Sequence, residues 1–98
     1  MLDIIRRPLA LKDIKNIWIY TRDKWGEKQA NQYLQKLDKA ITSLAIHPQK
    51  GKQAPFIHTG VYLYRAERHA ILYYFNQSEL TIARILHERM DIKRHKLQ

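Results

Sequence analysis

Ala30, Tyr33, Leu34, Leu37, Ile41, Leu44 and Ala45 recur in steps of three and four, over roughly four helical turns. No other stretch of the chain limits its fold as much. Lys28, Gln32, Gln35, Lys39 and Thr42 fill the opposite face, so the segment reads as an amphipathic helix with one side committed to a core. His47-Pro48 ends it, because the residue before a proline is pushed out of the helical region. Upstream, Ala10, Ile14, Ile17 and Trp18 repeat at the same spacing between Leu9 and Lys24, and Tyr20 and Thr21 extend the turn. Leu11 and Ile19 fall off that stripe, so this first helix expects cover on more than one side. Trp25-Gly26 separates the two, since glycine takes the left-handed backbone that ends a helix. Two helices joined so closely make an αα-hairpin.

Strands flank the hairpin. Leu2 to Arg7 is short, apolar at its centre and closed by Pro8, which suits a first strand and then the start of a helix. A loop from Pro48 to Gly60 follows the hairpin, punctuated by Gly51 and Pro55. Val61 to Ala66, His69 to Asn76 and Leu80 to Leu86 then read as strands. The turns Glu67-Arg68 and Gln77-Ser78-Glu79 are too short for crossover helices, so an antiparallel meander is expected. Along it, Tyr62 and Tyr64 share one face and Val61, Leu63 and Arg65 the other. One face packs on the hairpin, and the other is expected to be an open platform of tyrosines and arginines. The expected class is α+β, in the order β-αα-βββ, with the hairpin on an antiparallel sheet and a short C-terminal segment, all in one domain over residues 1–98.

Charge narrows the partners. Eighteen Lys and Arg against nine Asp and Glu give a net charge of +9. No acidic residue occurs from Lys39 through Ala66. Such a field attracts nucleic acid, ribosomes or an acidic protein without choosing among them. The absence of cysteine excludes disulfides and thiolate metal sites. No long apolar run suggests a leader or a membrane span, so a cytoplasmic protein is expected.

The most unusual chemistry lies at Leu80 to His95. An apolar, β-branched run is interrupted by Arg84 and then gives way to His87, Arg89, Arg94 and His95, mixed with Glu88 and Asp91. A guanidinium on a buried strand needs a partner or must leave the sheet. Arg84 is therefore either ion-paired within the fold or a contact residue. His87, Asp91 and His95 are spaced by four, as metal ligands on one helix face would be. His87 ends a strand instead, so no metal and no cofactor is expected.

Arg84-Ile85-Leu86-His87-Glu88-Arg89-Met90-Asp91, followed by Arg94-His95, resembles the C-terminal signature of the ParE toxins, within the ParE/RelE superfamily. The likeness continues along the chain. Ala10, Asp13, Ile14, Ile17 and Tyr20 resemble the family's first helix, and Trp25-Gly26, Gln29-Ala30 and Tyr33 its turn and second helix. Pro48 and Gly51 resemble its loop, and Gly60, Arg65, His69, Ile71 and Tyr73 its strands.

That resemblance implies a RelE-like fold and the toxin of a type II toxin–antitoxin system. It implies growth arrest by poisoning DNA gyrase through binding rather than chemistry. It also implies neutralisation by a ParD-type antitoxin, whose acidic C-terminal segment folds onto the toxin in a hetero-oligomer. Target contacts fall on Arg84, His87, Arg89, Met90, Asp91, Arg94 and His95, and antitoxin contacts on Ile14, Trp18, Tyr62, Tyr64, Arg65 and Tyr73. The superfamily's RelE branch cuts messenger RNA in the ribosome, and Arg65, Arg84 and His87 are the residues able to serve that alternative. RelE-like toxins often place a tyrosine near the C-terminus, whereas the last tyrosine here is Tyr74. A weaker alternative is a relic that binds antitoxin and poisons nothing. Bland readings stand beside these: Trp18 and the Ala30–Ala45 stripe as core, Trp25 as cover for the hairpin end, and Lys93 to Lys96 as a solvated terminus.

Overall fold

The computed structural model describes residues 1–89, so the expected target contacts Met90, Asp91, Arg94 and His95 lie outside the described residues. Strand β1 (Asp3–Arg6) leads into helix α1 (Pro8–Trp25), helix α2 (Glu27–Ile46), a 3₁₀ turn (Pro48–Lys50), and strands β2 (Lys52–Gln53), β3 (Tyr62–Ala66), β4 (His69–Phe75) and β5 (Glu79–His87). Pro8 stands at the first position of α1, where its lost N–H needs no partner. Gly26, at φ +95°, separates the helices; its N–H donates to Arg22 O and its carbonyl accepts from Ala30 N–H. This is the hinge expected at Trp25-Gly26.

The five strands form one sheet in the order β1-β5-β4-β3-β2. The expected meander is present, with β3, β4 and β5 antiparallel. The sheet as a whole is mixed, because β1 runs parallel to β5 with Asp3 opposite Glu79 and Arg6 opposite Ile82. A parallel neighbour needs a long connection, and here it runs from β1 through α1, α2 and strands β2 to β4 before β5 returns beside β1. Strand β2 lies within the stretch from Pro48 to Gly60 expected as loop. Two exposed polar residues carry no alternation, and only pairing with Leu63 and Tyr62 makes them a strand.

Most of the core lies between the hairpin and one face of the sheet. Ala10, Ile17, Leu37, Ile41, Leu44 and Ala45 from the helices meet Ile71, Tyr73, Leu80, Ile82 and Ile85 from the strands. A smaller cluster of Val61, Leu72 and Leu86, flanked by Ile57 and Leu63, sits on the other face. The open tyrosine platform is therefore corrected. Tyr62 and Tyr64 are half-buried on the helical face, and Tyr73 is 0% exposed there. A tyrosine has a large apolar body, and here the body sets the face while the hydroxyl finds a partner at the rim. Tyr73 Oη donates to Pro48 O (2.7 Å) and accepts from Gly51 N–H (2.9 Å). Gly51 is packed so closely that a Cβ would meet Tyr73 Oη and lie 2.9 Å from Leu63 O. Only glycine fits.

Candidate functional site

Two polar constellations lie along β5, and both involve the helices. The first is set by the length of β1. Its pairing covers β5 only from Glu79 to Ile82, and Arg7 N–H donates to Ile82 O at 3.1 Å as the last strand-like bond. Beyond that point the edge of β5 faces α1. Asp13 supplies what a neighbouring strand would have given. Its Oδ2 accepts from Ile85 N–H at 3.0 Å and from Arg84 Nε at 2.8 Å, while Oδ1 accepts from Arg84 Nη2 at 2.9 Å. The paired side chains are 13% and 14% exposed. The register slips between Leu72 and Tyr73, so that Arg84 stands opposite Leu72 and Ile82 opposite Tyr73. This offset leaves Ala83 as an extra, unpaired residue, a β-bulge next to Arg84. The bonds from Asp13 raise the already high guanidinium pKa of Arg84, against the opposing effect of burial.

The second constellation closes the far end of the strand. His69 opens β4 and stands opposite His87, the last residue of β5. Their rings meet edge to face at 5.3 Å. Tyr33 on α2 lies over His69 at 5.6 Å, and Tyr33 Oη is 2.6 Å from His69 Nδ1. Arg68 N–H also donates to Tyr33 Oη at 3.1 Å, and the Tyr33–His69 bond runs in the direction that the imidazole tautomer sets. Burial, and then the neighbouring His87, hold His69 neutral down to about 4. Burial likewise raises the Tyr33 hydroxyl above its ordinary value, against the Arg68 bond. His87 Nδ1 accepts from Arg89 N–H at 3.1 Å.

Next to this cluster runs a cleft of about 850 Å³, between the β-strand ends and the α1–α2 turn. Its walls carry Lys24, Arg68 and Arg89, the rings of Tyr20, Trp25 and Tyr33, and both histidines. Asp13 also lines it, with its charge already engaged by Arg84. No group of three or more metal-ligating side chains occurs among the described residues. No described helix is long and apolar enough to cross a membrane.

The sequence-expected residues are distributed unevenly. His87 and Arg89 come together at the cleft, whereas Arg84 is held at the α1–β5 seam. The three candidates for RNA chemistry do not converge: Arg65 alternates to the outer face with Leu63, while His87 meets Tyr33's neighbour His69 on the helical face. Among the antitoxin candidates, Ile14 and Trp18 ride on α1, with Arg22 5.1 Å over the Trp18 ring and Trp18 Nε1 donating to Asn31 Oδ1. Tyr62 stacks on Tyr73 at 5.6 Å, Lys50 lies 5.2 Å over Tyr64, and Arg65 is exposed. Tyr73 reaches no surface. Asp13, Tyr33 and His69 received no role from the sequence, yet they organise both constellations.

Comparison with known proteins gives this geometry a family. The model of the ParE toxin of the type II toxin–antitoxin system parDE matches residues 4–92. The chain belongs to the ParE toxin family. Toxin ParE1 of Mycobacterium tuberculosis is 35% identical over 89 residues, covering 90% of this chain and 91% of the relative. Toxin ParE of Escherichia coli is 32% identical over 84 residues, covering 85% and 82%. A solved chain from the chromosomal ParDE system of P. aeruginosa superposes with a TM-score of 0.77 over 89% of this chain and 96% of that one. At 19% identity the solved chain speaks for the fold, a ParE-type arrangement of two helices on a mixed five-stranded sheet. This ParE chain is thus the toxin of a type II toxin–antitoxin system.

Proposed function

We propose that this ParE toxin arrests growth by binding and poisoning DNA gyrase, and that a ParD-type antitoxin neutralises it in a cytoplasmic hetero-oligomer. The observation that carries this reading is the family match over residues 4–92, together with relatives that bear the name ParE. The mode of action is binding rather than catalysis. On this reading the gyrase contacts are His87 and Arg89 at the end of β5, continued by Met90, Asp91, Arg94 and His95. Arg84 contributes by holding β5 on α1, because its guanidinium is occupied by Asp13. The antitoxin's acidic segment engages Ile14 and Trp18 on α1 and Tyr62, Tyr64 and Arg65 on β3, drawn by the +9 charge. Tyr73 supports that surface from beneath through its stack with Tyr62.

The test is a plasmid supercoiling assay with purified gyrase and ATP, with and without the matched antitoxin. Inhibition or accumulated cleaved DNA, relieved by the antitoxin, is the expected result. No effect at a large excess of folded toxin sinks the proposal and moves the search to cleavage of translated messenger RNA.

A further inference from the structure

We propose that the cleft between the α1–α2 turn and the ends of β4 and β5 binds a free nucleoside triphosphate, its base against Trp25 and Tyr20 and its phosphates against Arg68, Arg89 and Lys24. This inference does not rest on the gyrase reading. Trp25 and Tyr20 are 66% and 61% exposed, although a domain this small has every reason to bury such rings. Both line the same half-open cleft, whose volume of about 850 Å³ is large enough for a small molecule.

The electrostatics select the ligand. Three cations reach the cleft from three elements: Lys24 from α1, Arg68 from the β3–β4 turn and Arg89 from beyond β5. Among the described residues neither the Arg68 nor the Arg89 guanidinium is paired with a carboxylate. Among the described residues Lys24 Nζ meets Tyr20, donating to its Oη at 3.1 Å and lying 5.4 Å from its ring centroid, and no carboxylate. The lining carboxylate, Asp13, is already engaged by Arg84. Glu67 and Glu88 influence Tyr33 from nearby but do not line the cavity. Unpaired guanidinium forks recognise phosphate oxygens, and aromatic faces stack on bases. Asn16 and Gln29, also on the wall, offer amides for the base edge.

Titration calorimetry on the full chain, at about 0.15 M salt to screen its general charge, tests the assignment. The probes are ATP, GTP, inorganic tripolyphosphate and a short single-stranded oligonucleotide. One nucleotide is expected to bind per chain, about tenfold more tightly than tripolyphosphate. Trp25→Ala is expected to erase that advantage, Arg68→Ala to weaken both ligands, and Lys39→Ala, on the exposed side of α2, to change neither. Trp25 and Arg68 lie outside the gyrase contacts, so a loss of binding in these variants with gyrase inhibition intact separates the two proposals. The inference is overturned by equal affinity for ATP and tripolyphosphate, by an equal loss in Lys39→Ala, or by no binding at millimolar nucleotide. Binding of the oligonucleotide without the mononucleotide overturns it too, in favour of a groove that tracks a strand.

Discussion

The seam at Asp13–Arg84 and the cluster at Tyr33–His69–His87 hang on the same strand, yet they are built on opposite terms. At the seam a full charge pair is closed over: both partners are nearly buried, and one carboxylate answers the guanidinium and the orphan Ile85 N–H together. At the cluster the His69 imidazole is kept neutral, and the groups are half-buried and open to a cleft. The difference teaches where charge is tolerated in a small fold. Inside, it is tolerated when each polar atom has a fixed partner. At the rim, burial keeps an imidazole neutral while uncompensated cations face water. A structural role suits the first arrangement and a recognition role the second.

Removing the carboxylate is the harshest test of that contrast. Asp13→Ala leaves a mostly buried guanidinium and a strand N–H without their acceptor. We expect about 3 kcal/mol of lost stability in urea denaturation, since breaking one side of a buried pair costs more than the pair contributes. A loss below about 1 kcal/mol refutes the view of the seam as a structural joint. Arg84→Met separates the two duties of Asp13. The carboxylate keeps Ile85 N–H, the apolar stem still packs, and the expected loss is about 2 kcal/mol. Should Arg84→Met instead match or exceed Asp13→Ala, the guanidinium rather than the edge carboxylate would be the keystone.

Much of this fold was legible because its signals are periodic. The Ala30–Ala45 stripe placed α2 nearly to the residue, and Trp25-Gly26 marked the hinge. Strand β2 escaped because it has no pattern of its own, and the parallel pairing of β1 because partner choice is not written in a strand's own alternation. The face of the tyrosines differs from the expectation for a physical reason: alternation says which residues travel together, not which set meets the helices. The seam was half legible. Asp13 falls on the same stripe as Ala10 and Ile17, and Arg84 interrupts an apolar strand. One misplaced carboxylate and one misplaced guanidinium, each on a core face, are a pair in search of each other. Tyr33 and His69 hid for the opposite reason, since both pass for ordinary amphipathic core residues.

The cluster has a milder expected cost. Tyr33→Phe keeps the ring over His69 but removes a hydroxyl that serves Arg68 N–H and His69 Nδ1. Both orphaned groups lie near water, so the expected loss is about 1.5 kcal/mol, within the range for ordinary hydrogen bonds. A loss equal to that of Asp13→Ala would mean the cluster is as structural as the seam.

Acid supplies the gentlest probe, and its sign follows from His69. Its folded pKa lies near 4, below the ordinary histidine value of 6.5, so the unfolded chain binds the extra proton first. Stability from this residue is present above pH 6.5 and drains away as pH falls toward 4. Between pH 6.5 and 5, above most carboxylate titrations, the expected loss is about 1 kcal/mol once partial exposure is discounted. Urea denaturation at intervals across that window measures it, and His69→Gln is expected to flatten the slope. A slope that persists in His69→Gln would place the proton elsewhere, and the neutral rim would lose its main support. A slope that vanishes, while the Asp13→Ala loss stays constant over the same window, would show that the two constellations on β5 are independent: one built on a closed charge pair, the other on an imidazole kept neutral by its surroundings.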